Sequence, residues 1–170
     1  MSGVIIRNAE KEMTGTIREQ RVSAYSAHTG SIPGPHWEAL RKAISSDADQ
    51  QPGVELIIAE EDGRLAGSVA LFPARTDAYE GYVEELDYPE IRMLAVAPEF
   101  QGKGIAKALI SECIRRAKEQ GFHKIGLHTG DFMKNAMKLY EGFGFKRLRQ
   151  YDFEPAGDGI IVRAYVLEIE

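Results

Sequence analysis

Residues 101–106, Gln-Gly-Lys-Gly-Ile-Ala, place two glycines and a lysine between an apolar, strand-like run and an amphipathic stretch. Glycine reaches positive φ without strain and lets backbone N–H groups come close to a ligand. The N–H groups of a helix's first turn lack intrahelical partners and lie at the positive end of its dipole, so such a turn suits a phosphate. Lys103 and Lys107 add charge nearby. A plain glycine turn that only starts a helix is the competing reading. Two other phosphate motifs fail. Nothing matches the Walker spacing, and a dinucleotide fingerprint begun at Gly102 would need glycine or alanine where Lys107 stands. No metal is expected, because His123 and His128 are five apart in an extended run and point to opposite faces.

The elements around this turn follow from periodicity. Val4 to Arg7 reads as a strand, and Met13, Ile17, Ala24 and Tyr25 recur at near-helical spacing. After Pro33-Gly34-Pro35, Trp37, Leu40 and Ile44 mark a second helix. Residues 54–60 and 64–72 are apolar strands joined by Glu61-Asp62-Gly63, where Asp-Gly predicts a tight antiparallel hairpin. Ile91 to Val96 is a strand leading into the glycine turn. Ile105, Leu109, Ile110, Cys113, Ile114 and Ala117 then form a helical stripe closed by Gly121, a left-handed cap. A strand (124–129), a helix (132–143) and two apolar runs, around Phe143 to Phe153 and Ile160 to Leu167, complete the chain. The order β-α-α-β-β-β-α-β-α-β-β predicts one α/β domain over residues 1–170, with a mixed, mostly antiparallel sheet and helices on both faces. Ile91 through Thr129 should be a right-handed parallel crossover.

Gln101, Gly104 and Ala106 fit a spacing of arginine or glutamine, two free positions, glycine, one free position, then glycine or alanine. With the strand and bend before it, this resembles the acetyl-CoA pyrophosphate loop of the GCN5-related N-acetyltransferase (GNAT) superfamily. Residues 136–145, AMKLYEGFGF, are similar to that family's A-x-x-L-Y-x-x-x-G-F segment. The resemblance implies a GNAT-like, acyl-CoA N-acyltransferase fold. It implies that Leu94, Ala95 and Val96 offer backbone groups to the pantetheine arm, where a bulge splays their strand from residues 124–129. It also implies that the amides of Gln101, Gly102, Lys103, Gly104, Ile105 and Ala106 take the pyrophosphate. Many members carry an asparagine seven residues before the tyrosine, where this chain has Met133; Asn135, two residues on, is the candidate cofactor contact in its stead.

Acetyl transfer to an amine needs a base for the ammonium proton and an acid for the departing thiolate. Tyr140 suits the acid role, since a phenol with a pKa near 10 stays protonated at neutral pH; the alternative is an aromatic that packs its helix onto the sheet. Glu90, at the head of the strand that enters the loop, is the first candidate base, and the superfamily's histone acetyltransferases look similar there; a solvated strand-end glutamate is the alternative. Glu84, Glu85, Asp87 and His128 stand in reserve.

Composition narrows the partners. The chain has 170 residues, 44% hydrophobic and 28% charged, with 21 Lys+Arg against 26 Asp+Glu and a net charge of −5. That balance lacks the basic excess that nucleic acid demands. The start, MSGVIIRNAEKEM, has no signal-like pattern, and no window is apolar enough for a membrane helix, so a cytoplasmic protein is expected. The single Cys113 reads as a buried hydrophobe, and a homodimer is compatible with the sequence. Residues 75–90 hold six acidic side chains against Arg75 alone, interleaved with Tyr79, Tyr82 and Tyr88. This pattern, with Glu84 and Glu85 as substrate-binding residues, predicts a cationic acceptor, a small molecule or a peptide amine. The rival readings are a non-catalytic acyl-CoA-binding sensor module and an α/β protein holding another phosphate.

Overall fold

A computed structural model describes residues 3–75 and 86–169. Its elements follow the expected order: β1 (Val4–Asn8), α1 (Thr14–Tyr25), α2 (Gly34–Ile44), β2 (Glu55–Glu61), β3 (Arg64–Phe72), β4 (Glu90–Val96), α3 (Ile105–Glu119), β5 (Lys124–Gly130), α4 (Lys134–Phe143), β6 (Lys146–Arg147) and β7 (Val162–Glu168). The strands form one sheet in the order β1-β2-β3-β4-β5-β7-β6. Only β4 and β5 run parallel; the other neighbours are antiparallel. The β2–β3 hairpin turns at Asp62 and Gly63, both at positive φ as a two-residue hairpin loop requires.

The sheet is buried on both faces. On one, Ile105, Leu109, Ile110, Cys113 and Ala117 of α3, with Met137 and Tyr140 of α4, pack against Ile57, Leu71, Ile91 and Leu127. On the other, Ile44 joins Ala70, Phe72 and Met93, rimmed by Val22, Tyr25 and Leu40 of α1 and α2. Gly121, at φ 90°, ends α3 as expected. Among the described residues no helix is long and apolar enough to cross a membrane.

Two readings need correction. The run 143–153 is not a strand: Phe143 belongs to α4, Gly144 ends it at φ 99°, and β6 is two residues long. Asp152 explains the shortness. Its carboxylate pairs with Arg147 and accepts from Ala164 N at 2.7 Å, a ladder position that a backbone carbonyl would otherwise fill. In α1 the buried residues are Ile17 and, unexpectedly, Arg21, which is 0% exposed. Its Nη1 donates to Asp49 Oδ2 (2.8 Å) and Ile44 O (3.0 Å), so a cation is carried into the core on a paired carboxylate.

Candidate active site

β4 leaves its neighbour abruptly. Its parallel pairing with β5 covers Glu90↔Gly126 and Ile91↔Leu127 and goes no further. Toward β3 the ladder slips: Ser68 faces Ala95 and Ala70 faces Arg92, so Val69 opposes both Met93 and Leu94. Met93 sits at φ 60°, rare for a residue with an unbranched side chain, and this β-bulge turns the rest of β4 away from β5. The result is a gap in the middle of the sheet. Leu94, Ala95 and Val96 border it, paired with β3 on one edge and with no ladder partner in β5 on the other.

The glycine turn lies at the end of β4. Gly102 (φ 78°) and Gly104 (φ 79°) are left-handed, and a Cβ on either would meet nothing within 4 Å, so conformation rather than space demands glycine. Gly104 is the N-cap of α3. The Gln101 amide donates to Pro98 O at 3.3 Å, whereas the first helical bond runs from Ala108 N to Gly104 O, which leaves the amides between them available to an anion. Lys103 turns aside: its Nζ lies 3.6 Å from Glu61 Oε2 and over the Phe100 ring. Lys107 and Asn135 are exposed, on the first turns of α3 and α4.

Gly67 was missed in the sequence. A Cβ there would stand 2.9 Å from both Ala95 O and Ile105 Cγ2, so its absence lets β3 and the first turn of α3 close around the gap. Gly126 does the same for β5, where a Cβ would fall 2.6 Å from Tyr88 Cε2 and 3.3 Å from Glu90 Oε2.

Glu90 and His128, two separate candidates in the sequence, meet here. Glu90 is 4% exposed, and its Oε1 lies 3.3 Å from His128 Nδ1, just beyond ordinary hydrogen-bond length. The other ring nitrogen, Nε2, is 3.0 Å from Tyr151 O. A carbonyl only accepts, so Nε2 carries hydrogen and Nδ1 is the atom presented to the carboxylate. Glu90 Oε2 is buried with no hydrogen-bond partner among the described residues, an acceptor left open at the edge of the gap. Asp87 is exposed; Glu84 and Glu85 lie outside the described residues.

Tyr140 approaches from the opposite face. It is 6% exposed, wedged edge-on against Phe145 and tilted against Tyr165. Burial, with smaller contributions from the Tyr25 hydroxyl and the Cys113 thiol, raises its phenol well above the ordinary value. The phenol is therefore a firmly protonated donor. Tyr25, whose hydroxyl is felt by Tyr140, belongs to α1 on the other face, so the two side chains sense each other across the sheet. Burial pushes the Cys113 thiol up to about 12, which keeps it an inert thiol.

On the α1/α2 face the gap opens into a cavity of about 240 Å³. Its wall includes Tyr25, Leu40, Ile44, Arg92, Met93 and His128. His36, absent from the helical stripe read in the sequence, is more buried than Trp37 and also faces the cavity; its Nδ1 is 2.8 Å from Asp158 Oδ2, tying α2 to the segment between β6 and β7. Among the described residues no three His, Cys, Asp or Glu side chains converge as a metal site requires.

A mixed sheet with this gap, a glycine turn at its end and a cavity behind it is the architecture of the acyl-CoA N-acyltransferases. The structure of histone acetyltransferase HPA2 and related acetyltransferase from Corynebacterium glutamicum superposes with a TM-score of 0.73 at 20% identity, over 100% of this chain and 98% of that one. A Salmonella typhimurium acetyltransferase, yncA, solved with its cofactor acetyl-CoA, superposes with a TM-score of 0.67 at 21% identity, over 98% and 94%. The sequence profile of the acetyltransferase (GNAT) family matches residues 19–145, and the chain belongs to that family. It is 32% identical over 118 residues to the uncharacterized N-acetyltransferase YjgM of Escherichia coli, covering 69% of this chain and 64% of the relative. It is also 32% identical over 100 residues to human N-acetyltransferase 8B, covering 56% and 40%. The chain thus spans less than two thirds of the length of either relative.

Proposed function

We propose that this protein is an N-acetyltransferase that moves the acetyl group of acetyl-CoA directly onto a primary amine, within one domain and in the cytoplasm. The single observation that supports the reading is the gap between β4 and β5, with the buried Glu90–His128 pair at its edge; Tyr140, packed in the core on the α3/α4 face, is the candidate acid.

The residues present fit acetyl-CoA. The Gln101 amide, expected to join the pyrophosphate site, is instead bonded to Pro98 O; the left-handed glycines leave the amides of residues 102–106 for the pyrophosphate, and the unpaired edge of Leu94, Ala95 and Val96 is a β-strand template for the amide groups of the pantetheine arm. Asn135, on the exposed first turn of α4, is a further candidate contact. The acceptor enters from the cavity on the other face. Its ammonium gives up a proton toward Glu90 and His128, and the free amine attacks the thioester carbonyl carbon. An N–C bond forms, the C–S bond breaks, and the leaving thiolate takes a proton from Tyr140. Cys113, buried and protonated, has no part in an acyl-enzyme.

The expected cationic acceptor rested on residues 75–90, of which 76–85 lie outside the described residues; among the described ones, Glu90 with His128 is what an ammonium would meet. A thiol-release assay with acetyl-CoA and a panel of amines, with products identified by mass, tests the proposal. Amine-dependent thiol release and an N-acetylated product are expected; binding of acetyl-CoA without turnover of any amine would leave an acyl-CoA-binding module instead.

A further inference from the structure

The cavity behind the gap has two chemically different ends. At the sheet the wall is polar: Arg92 of β4 with His128 and Thr129 of β5, and Glu90 Oε1 lies 3.3 Å from His128 Nδ1. Toward α2 and the turn before α4, the wall that the described residues build is apolar, and three features make it so.

The bulge in β4 supplies the first. Arg92 and Met93 are adjacent and would point to opposite faces of a regular strand, yet both wall the cavity, because the ladder slips at Met93 and its φ is 60°. The distortion that opens the gap thus turns a thioether chain into the space behind it. The second is on β5. Gly130 lies two residues beyond His128 on the same face, roughly 7 Å along the strand. A Cβ there would fall 2.4 Å from Phe132 Cε1, so the Phe132 ring rests on bare backbone. His28 and His36 brace that ring edge-on, with centroids at 5.4 and 5.9 Å. The third is α2, where the wall residues Ala39 and Ala43 stand one helical turn apart. Their methyl groups leave a groove beside the ridge of Leu40 and Ile44. An ammonium at the sheet end therefore has an apolar groove and an aromatic face within a short arm's reach, and such a wall favours burying hydrocarbon.

Resting on the acetyltransferase reading, we infer that the acceptor is a primary amine with an apolar arm, an alkyl or aryl group: the amine sits at Glu90–His128, and the arm lies along the Ala39–Ala43 groove toward Phe132. The volume sets the size of the arm. At about 240 Å³ the cavity is smaller than the roughly 300–1,000 Å³ of sites for drug-sized ligands, so it holds an arm the size of an amino-acid side chain.

The test measures kcat/KM for n-alkylamines, which share one basicity and differ only in the arm: ethylamine, propylamine, butylamine and pentylamine. The value should rise roughly 4-fold for each methylene, the transfer effect of one buried CH₂. Pentylamine should exceed 1,4-diaminobutane, an equally long chain that ends in a second ammonium, by roughly 10- to 100-fold. Ala43→Leu fills the groove and should flatten the series, costing pentylamine roughly 10-fold more than ethylamine and leaving the KM for acetyl-CoA in place. The inference is overturned if the series is flat, or if amines of the panel turn over while no alkylamine does. It is also overturned if 1,4-diaminobutane matches or outruns pentylamine, the result expected were residues 76–85 to recruit a second ammonium. An Ala43→Leu protein that folds and loses every alkylamine equally overturns it as well; if that variant does not fold, the parent's series decides alone. Each of these results leaves the acetyltransferase reading standing. Should acetyl-CoA bind and no amine turn over, that reading fails first, and binding of pentylamine against 1,4-diaminobutane to the CoA-loaded protein then decides the inference: equal or absent binding overturns it.

Discussion

Glu90 Oε1 stands 3.3 Å from His128 Nδ1 beside the last rungs that join β4 to β5, and the two strands part immediately beyond. Neither side chain gains this position alone. The parallel register brings the residues together, and Gly126, lacking a Cβ, leaves room for Glu90 Oε2.

If this pair takes the acceptor's proton, Glu90→Gln should lower kcat/KM by roughly 10- to 10³-fold at neutral pH. The loss should shrink at high pH, where solvent has already deprotonated more of the amine. His128→Asn should show the same pH pattern with a smaller loss. A pH–rate profile of each variant checks this, and a loss of equal size at every pH would assign the pair to positioning.

Tyr140→Phe removes one hydroxyl from a packed ring. It should lower kcat by roughly 10- to 10³-fold and leave the acetyl-CoA-induced rise in melting temperature intact. Because burial raises the phenol, the acid form persists above its ordinary value near 10, so the parent's activity should show no Tyr140-dependent fall as pH approaches 10. An unchanged kcat would return Tyr140 to a packing role.

Gly104→Val probes the turn. The new side chain has open space but must hold φ 79°, a strain of about 1–2 kcal/mol or more for a β-branched residue. The fold should survive while the melting shift with acetyl-CoA disappears. Gly67→Ala should do the reverse kind of damage: its Cβ would clash at 2.9 Å with Ala95 O and Ile105 Cγ2, so the melting temperature itself should fall. Circular dichroism melts with and without acetyl-CoA separate the two.

Asp49→Asn should destabilise by about 3–5 kcal/mol, since it strips the buried Arg21 of its counter-charge. Burial alone would raise the Asp49 carboxyl, but the hydrogen bonds from Arg18 and Arg21 outweigh it and hold the carboxyl below its ordinary value. A lowered folded-state pKa stabilises above the unfolded value, about 3.9, and the benefit is lost as pH falls through the folded one. The stability difference between parent and variant should therefore be full at pH 6 and narrow below pH about 4, as denaturant melts across that range would show.

Local chemistry was enough to read the element order, the Asp62-Gly63 hairpin, the buried stripe of α3 and the glycine turn, because period, turn type and capping depend on neighbours within a few residues. The same sequence marked Glu90, His128 and Tyr140, but as separate candidates. It put Trp37 on the stripe of α2 and passed over the buried His36, extended a strand through 143–153, and gave no sign that Arg21 is buried. What the tertiary structure decided is non-local: a ladder slip at Met93 that opens the sheet, a glutamate and a histidine joined by parallel register, an aspartate 28 positions away that neutralises a core arginine, and glycines whose missing Cβ atoms matter only against atoms of other strands. Residue type limits what a side chain can do; which partner it meets depends on packing between elements far apart in the chain, and the chemistry of this site lies in those meetings.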